Sequence, residues 1–208
     1  LKAPCDDTIK IKISDLFART SLEICEGQQY DLDFETMEHV SIDDYIKMIR
    51  LKTAVMLAGC LQSGAIFAKA SDADQQALYD FGINIGIAFQ LKDDILDLYS
   101  DTQVFGKIKG GDIKENKKTY LYLTALQDAD EKQRESLLRY FSSTEFDFEI
   151  KLQAVKNIYE DLQVKEKTEK AIDQYVKSAL DCLQTVSVGE DKKQQLRDLA
   201  NALVKRDK

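Results

Sequence analysis

Most of the chain alternates apolar and polar positions with a helical period, and little interrupts it: there are nine glycines and a single proline, Pro4. Long stretches without a breaker predict helices joined by short loops, and therefore an all-α fold. Ser41 followed by Asp44, and Ser71 followed by Asp74, each combine a hydroxyl that can cap a helix start with an acid placed to reach back. They predict helices over residues 42–69 and 72–100, both longer than the usual three or four turns. An earlier helix is expected over 9–27. Shorter amphipathic helices are expected near 119–127, 130–141, 148–162, 166–185 and 190–204.

Between Ile83 and Leu98 apolar residues surround the helix on nearly all sides, among them Ile85, Ile87, Phe89, Leu91, Ile95 and Leu96. A helix that is apolar all round is a central one. After it, residues 101–116 place Gly106, Gly110 and Gly111 among lysines, a composition expected of a mobile loop over a site. No internal repeat, linker or low-complexity stretch divides the sequence, so one domain over 1–208 is expected.

With 208 residues and 44% hydrophobic content, the chain can bury a substantial core. A net charge of −8 argues against a nucleic-acid surface, which shows a basic stripe. It leaves room for a local basic pocket that binds a phosphorylated ligand. Cys5, Cys25, Cys60 and Cys182 are widely spaced and include no CxxC pair, so neither a zinc site nor a disulfide framework is indicated, and a cytoplasmic setting is the simpler expectation. No apolar run has the roughly 18 residues of a membrane span.

The candidate chemistry sits at the end of the central helix, where Phe89-Gln90-Leu91-Lys92-Asp93-Asp94-Ile95-Leu96-Asp97 gathers three carboxylates within two turns. Carboxylates in apolar surroundings are costly unless compensated, and the negative end of the helix dipole adds repulsion. A divalent cation would relieve both, and oxygen ligands select a hard ion such as Mg²⁺ that keeps positions open for water and phosphate. A solvated acidic helix end is the bland alternative. Asp6-Asp7 and Asp43-Asp44 have Lys10 and Lys47 at the place where Asp93-Asp94 has Asp97, so only one pair is completed to DDxxD.

Phe89-Gln90-x-x-Asp93-Asp94-x-x-Asp97 resembles the second aspartate-rich motif of the trans-prenyl diphosphate synthases. Three further blocks resemble that family in the same order: Gly27-Gln28-x-x-Asp31, Lys52-Thr53-Ala54, and Phe105-Gly106-Lys107 followed by Gly110-Gly111-Asp112-Ile113 and Lys117-x-Thr119. The resemblance covers roughly residues 27–119 and implies a helical isoprenoid-synthase bundle around a central cleft. It also implies Mg²⁺ on Asp93, Asp94 and Asp97, substrate diphosphate contacts from Lys52, Thr53, Lys107 and Lys117, and Gln28, Asp31 and Gln90 near the reacting groups. Lysines suit phosphate as mobile point charges, and loop glycines let a chain close over a ligand.

The implied reaction joins an allylic prenyl diphosphate to isopentenyl diphosphate, releasing pyrophosphate and a proton, in an enzyme expected to be a homodimer. Mg²⁺ is expected to clamp the diphosphate between two carboxylate clusters. The family's first DDxxD cluster, the arginine pair after it and the N-terminal block for isopentenyl diphosphate do not occur in this sequence, and are expected in a longer polypeptide ahead of Leu1. The 208 residues alone are therefore expected to be inactive. A non-catalytic subunit of a heteromeric synthase is one alternative. A class I terpene cyclase is another, although its second metal motif mixes Asn, Ser, Thr and Glu where this chain has only Asp.

Overall fold

The computed structural model describes residues 6–100, 109–142 and 146–206. Helix α1 spans Asp7–Thr36, α2 Ile42–Ile49, and a π-helical turn over Arg50–Ala54 carries the chain without a break into α3, Val55–Phe67. The central helix α4 covers Asp72–Tyr99, and α5, Gly111–Lys114, is a single turn. Then come α6 (Tyr120–Asp128), α7 (Glu131–Phe141), α8 (Phe148–Asp161), α9 (Val164–Thr185) and α10 (Glu190–Lys205). No strand occurs among the described residues, as the helical period predicts.

The start signals act as expected, with one addition. Ser41 and Asp44 form a reciprocal capping box at α2. At α4 the Ser71 hydroxyl accepts from the Asp74 N–H at 3.1 Å, while the Asp74 carboxylate accepts from the distant Ser187 N–H at 2.7 Å. The second acid of α4 thereby ties the helix start to the loop ahead of α10.

Small residues set the register of α1, α3 and α4. A Cβ on Gly27 would lie 2.3 Å from the Lys52 backbone nitrogen, and one on Gly59 would lie 3.0 Å from Thr20 Oγ1. On the other side, Cβ atoms at Gly82 and Gly86 would each come within 2.5 Å of a Cα, that of Ala58 and that of Ala54 respectively. The pairs 20 with 59 and 27 with 52 make α1 antiparallel to α3. The pairs 82 with 58 and 86 with 54 do the same for α4. Helices α1 and α4 are therefore parallel, with α3 between them, and their last turns lie beside the π-helical turn and α2.

Helix α4 is the axis of the core. Phe81, Ile85, Ile87, Ala88, Leu91, Ile95 and Leu98 are all buried, and α9 packs along its length. One apolar cluster joins α4 to α2, α6, α7, α8 and α9, and a second joins Phe81 and Ile85 to Ala179, Leu183, Val186 and Ala200 on and after α9 and on α10. Burial on opposite faces is what the unbroken apolar character of 83–98 demands.

Three boundaries differ from expectation. Helix α1 does not stop at Gly27 but runs to Thr36, because Gly27 is a contact point for the neighbouring backbone and not a cap. The helix expected over 42–69 contains the π-helical turn and ends at Phe67, where Lys69 takes a left-handed φ of 55°. There the Ala70 N–H reaches Ala65 O and the Lys69 N–H reaches Ile66 O, both at 3.0 Å, closing the helix in a Schellman motif without the customary glycine. The segment expected to be a loop over 101–116 contains α5, and residues 101–108, with Lys107, lie outside those described. Here the left-handed φ of 75° at Gly110 turns the chain into the new helix.

Candidate active site

The parallel run of α1 and α4 assembles one end of the layer. On α1, Asp31 lies one turn beyond Gly27 on the same face, and on α4, Gln90 and Asp93 follow Gly86 at four and seven residues. Lys52 stands in the π-helical turn between them, and its ammonium meets the Asp31 carboxylate at 2.6 Å. Both side chains remain about one third exposed, so the pair is accessible to solvent. The lysine of one sequence block and the acid of another are thus brought together. Gln28 and Asp31 lie inside α1 and not at its end. Gln28 is exposed, and Thr53 and Gln90 are partly buried.

The three aspartates of the DDxxD sequence diverge. Asp94 is buried, and both its oxygens accept from the Tyr45 hydroxyl, at 2.9 and 2.8 Å. One of them also accepts from the Tyr120 N–H at 3.1 Å. Burial raises the Asp94 carboxyl well above the usual range, and these hydrogen bonds oppose that shift by favouring the charged form. Asp97 reaches the first turn of α5, accepting from the Asp112 N–H at 3.1 Å. Burial first, and the negative Asp112 beside it second, raise its carboxyl to about 6. Asp93 is the accessible member, and Arg206, just after α10, donates to its Oδ1.

Among the described residues no three His, Cys, Asp or Glu side chains converge on a metal position. Of Asp93, Asp94 and Asp97, the three assigned to the metal from the sequence, Asp94 is hydrogen-bonded to Tyr45 and Tyr120 in the core while the other two are only partly buried. The donor set still suits a magnesium ion, which needs only one or two carboxylates and takes its other oxygens from water and phosphate. Asp93 meets that requirement, since its carboxylate already attracts a cation in the form of Arg206. Asp97, one turn further along, retains free lone pairs beyond its bonds to α5.

Lys117 follows α5 and is held by Asp112 at 3.4 Å and Glu115 at 3.0 Å. Behind the aspartates, a small cavity of about 10 Å³ is lined by Asp94, Asp97, Asp112, Lys117, Thr119 and Tyr159, among others, room for about one water molecule. Sequence reasoning gave no individual role to three residues here. Tyr45 reads as an ordinary amphipathic aromatic, Asp112 as a loop acid and Arg206 as a solvated cation 113 positions from its partner.

The arrangement of a buried, acid-bearing central helix with parallel and antiparallel neighbours is that of the all-α isoprenyl synthase fold. A geranylgeranyl pyrophosphate synthase superimposes with a TM-score of 0.91 at 40% identity, over 97% of this chain and 63% of that one. The enzyme of the same name from Corynebacterium glutamicum, solved with isoprenyl diphosphate and magnesium, gives a TM-score of 0.87 at 30% identity over 97% and 57%. The chain belongs to the polyprenyl synthetase family, whose profile matches residues 4–162. The geranylgeranyl diphosphate synthase of Methanosarcina mazei is 40% identical over 117 residues, 56% of this chain and 36% of that enzyme. The chain thus spans between about one third and two thirds of the length of these relatives. No helix among the described residues is long and apolar enough to cross a membrane.

Proposed function

We propose that this chain forms the diphosphate-binding and metal-binding part of a trans-prenyl diphosphate synthase that condenses an allylic prenyl diphosphate with isopentenyl diphosphate. The observation that carries the reading is the Lys52–Asp31 pair at 2.6 Å, at the end of the layer where Asp93 also lies. Asp31 keeps the Lys52 ammonium oriented, and an arriving diphosphate offers that ammonium stronger acceptors. Lys117, already gathered by Asp112 and Glu115, and Lys107 are the further phosphate contacts. Asp93 and Asp97 are the metal ligands, with Asp94 holding their helix end in place. Gln90 is the polar neighbour of the reacting carbons, and Gln28 and Thr53 complete the rim.

Bound magnesium supplies neutralisation of the departing pyrophosphate. The allylic carbon–oxygen bond breaks with its electron pair going to pyrophosphate, and the isopentenyl double bond forms the new carbon–carbon bond. A proton then leaves the condensed product. The lysines assist by keeping positive charge where the leaving group develops negative charge. Magnesium in the Corynebacterium relative supports this choice of ion.

Helix α1 supports the reading of a homodimer. Its buried stripe, Ile9, Leu16, Thr20, Gly27 and Phe34, faces the core. A second stripe on the opposite side, Ile11, Ala18, Leu22, Cys25 and Leu32, is exposed, and a second copy is the partner we assign to it.

The test uses the product of the complete reading frame, supplied with Mg²⁺, labelled isopentenyl diphosphate and allylic diphosphates of several lengths. Incorporation of label into a prenyl diphosphate five carbons longer is the expected result. Failure to incorporate label, together with failure of the chain to bind Mg²⁺-pyrophosphate, would refute the proposal.

A further inference from the structure

Arg206 is the cation paired with Asp93, the carboxylate assigned above to the metal. Its Nη2 donates to Asp93 Oδ1 and reaches the Phe89 carbonyl oxygen at 3.4 Å. The guanidinium carbon lies 3.9 Å from the centre of the Phe89 ring, a distance at which the positive group meets the negative face of the aromatic ring. Phe89 and Asp93 are four residues apart on α4, so their side chains form adjoining walls of one seat. The arginine side chain is 24% exposed and that of Asp93 41%.

Two features make this seat exchangeable. The buried Arg206 Nε has no hydrogen-bond partner among the described residues, so the guanidinium gives up hydration there without full compensation. Arg206 also lies just beyond the last turn of α10, where release requires no repacking of the core. A divalent ion, with twice the charge and a compact oxygen shell, is the stronger partner for the exposed carboxylate once phosphate oxygens complete its coordination.

We propose that Arg206 is a built-in counter-ion of Asp93 that a divalent cation displaces, so that metal loading and docking of the α10 end are mutually exclusive. The inference rests on the assignment of Asp93 as a metal ligand. By thermodynamic reciprocity, whatever weakens the arginine contact strengthens metal binding, and metal binding loosens the α10 end.

Mn²⁺ can serve as the probe, its free fraction followed by electron paramagnetic resonance in the presence of inorganic pyrophosphate, with the product of the complete reading frame and its Arg206→Ala and Arg206→Lys variants. Removal of a partly exposed ion pair should tighten Mn²⁺ binding about two- to tenfold in Arg206→Ala. Arg206→Lys, which keeps the charge but not the planar stacking group, should fall between. Amide exchange across residues 196–206 should rise when Mn²⁺-pyrophosphate is added to the wild type, and stay unchanged on addition to Arg206→Ala. Equal Mn²⁺ affinity in all three proteins, or unaltered exchange in the wild type, would overturn the exchange while leaving the metal site intact. Absence of Mn²⁺ binding in every protein would overturn the metal site and the exchange with it.

Discussion

The Tyr45 hydroxyl stands 2.9 and 2.8 Å from the two carboxylate oxygens of Asp94, joining α2 to the acidic end of α4 through a buried pair. The carboxylate most deeply placed in the aspartate-rich sequence is therefore held by protein groups on α2 and at the start of α6. Its partner from α6, the Tyr120 N–H at 3.1 Å, is a backbone group that no side-chain substitution removes.

Tyr45→Phe keeps the ring and deletes the donor, leaving Asp94 with the Tyr120 N–H. Leaving a buried polar group short of a partner costs about 1–3 kcal/mol, and that loss is expected in urea or guanidinium denaturation. Unchanged stability would mean that Asp94 gains its partners elsewhere.

Gly27→Ala places a methyl group 2.3 Å from the Lys52 backbone nitrogen. The obstacle is main chain, so the helices must separate, and overpacking of this kind costs about 1–3 kcal/mol. Binding of pyrophosphate to the chain, measured by calorimetry, should weaken as well, because the same contact sets the distance between Lys52 and α1. A Gly27→Ala protein with wild-type stability would contradict the close approach.

Lys69→Gly should raise stability. Lys69 holds a φ of 55°, a conformation that costs an L-residue roughly 1–2 kcal/mol and glycine little. Its contact to Asp6 at 3.3 Å joins two exposed side chains and returns little. Offset by glycine's greater freedom when unfolded, the net gain is about 0.5–1 kcal/mol, read as a higher Tm.

The Asp74 carboxyl is held below its ordinary value of 3.8, first by the Ser187 N–H and then by Ser71. A depressed carboxyl pKa stabilises the fold above the unfolded value, and that contribution disappears as pH falls through the folded value. Wild type should exceed Asp74→Asn in stability near pH 6, and the gap should narrow as pH falls below about 4. Denaturation curves for both proteins across that range check the sign. A gap that widens on acidification would exclude this linkage.

Helix starts were legible because they are local. Ser41 with Asp44 and Ser71 with Asp74 carry their partners within one turn, and the apolar run over 83–98 needs no distant information to be read as buried. The end of α1 was not legible, since Gly27 has the same letter whether it caps a helix or receives another backbone, and only the contact with Lys52 decides. The four sequence blocks marked where the candidate site lies, yet DDxxD does not say which face each acid takes. That depends on Tyr45 and Tyr120 for Asp94, on α5 for Asp97 and on Arg206 for Asp93. None of these partners lies within a turn of the acid it meets.

The π-helical turn at Arg50–Ala54 has a consequence for the natural history of the chain. A turn of this kind accommodates an additional residue inside a continuous helix, and each residue of an α-helix rotates the downstream part of the rod by about 100°. Loss of one residue there would leave the rod unbroken while swinging Lys52 or all of α3 to another azimuth. Gly27, Asp31 and the glycines of α4 would then meet the wrong side of their neighbour. The segment should therefore tolerate substitution far better than a change in length, and a single-residue deletion within it should leave helix content intact while destroying the pairing with Asp31.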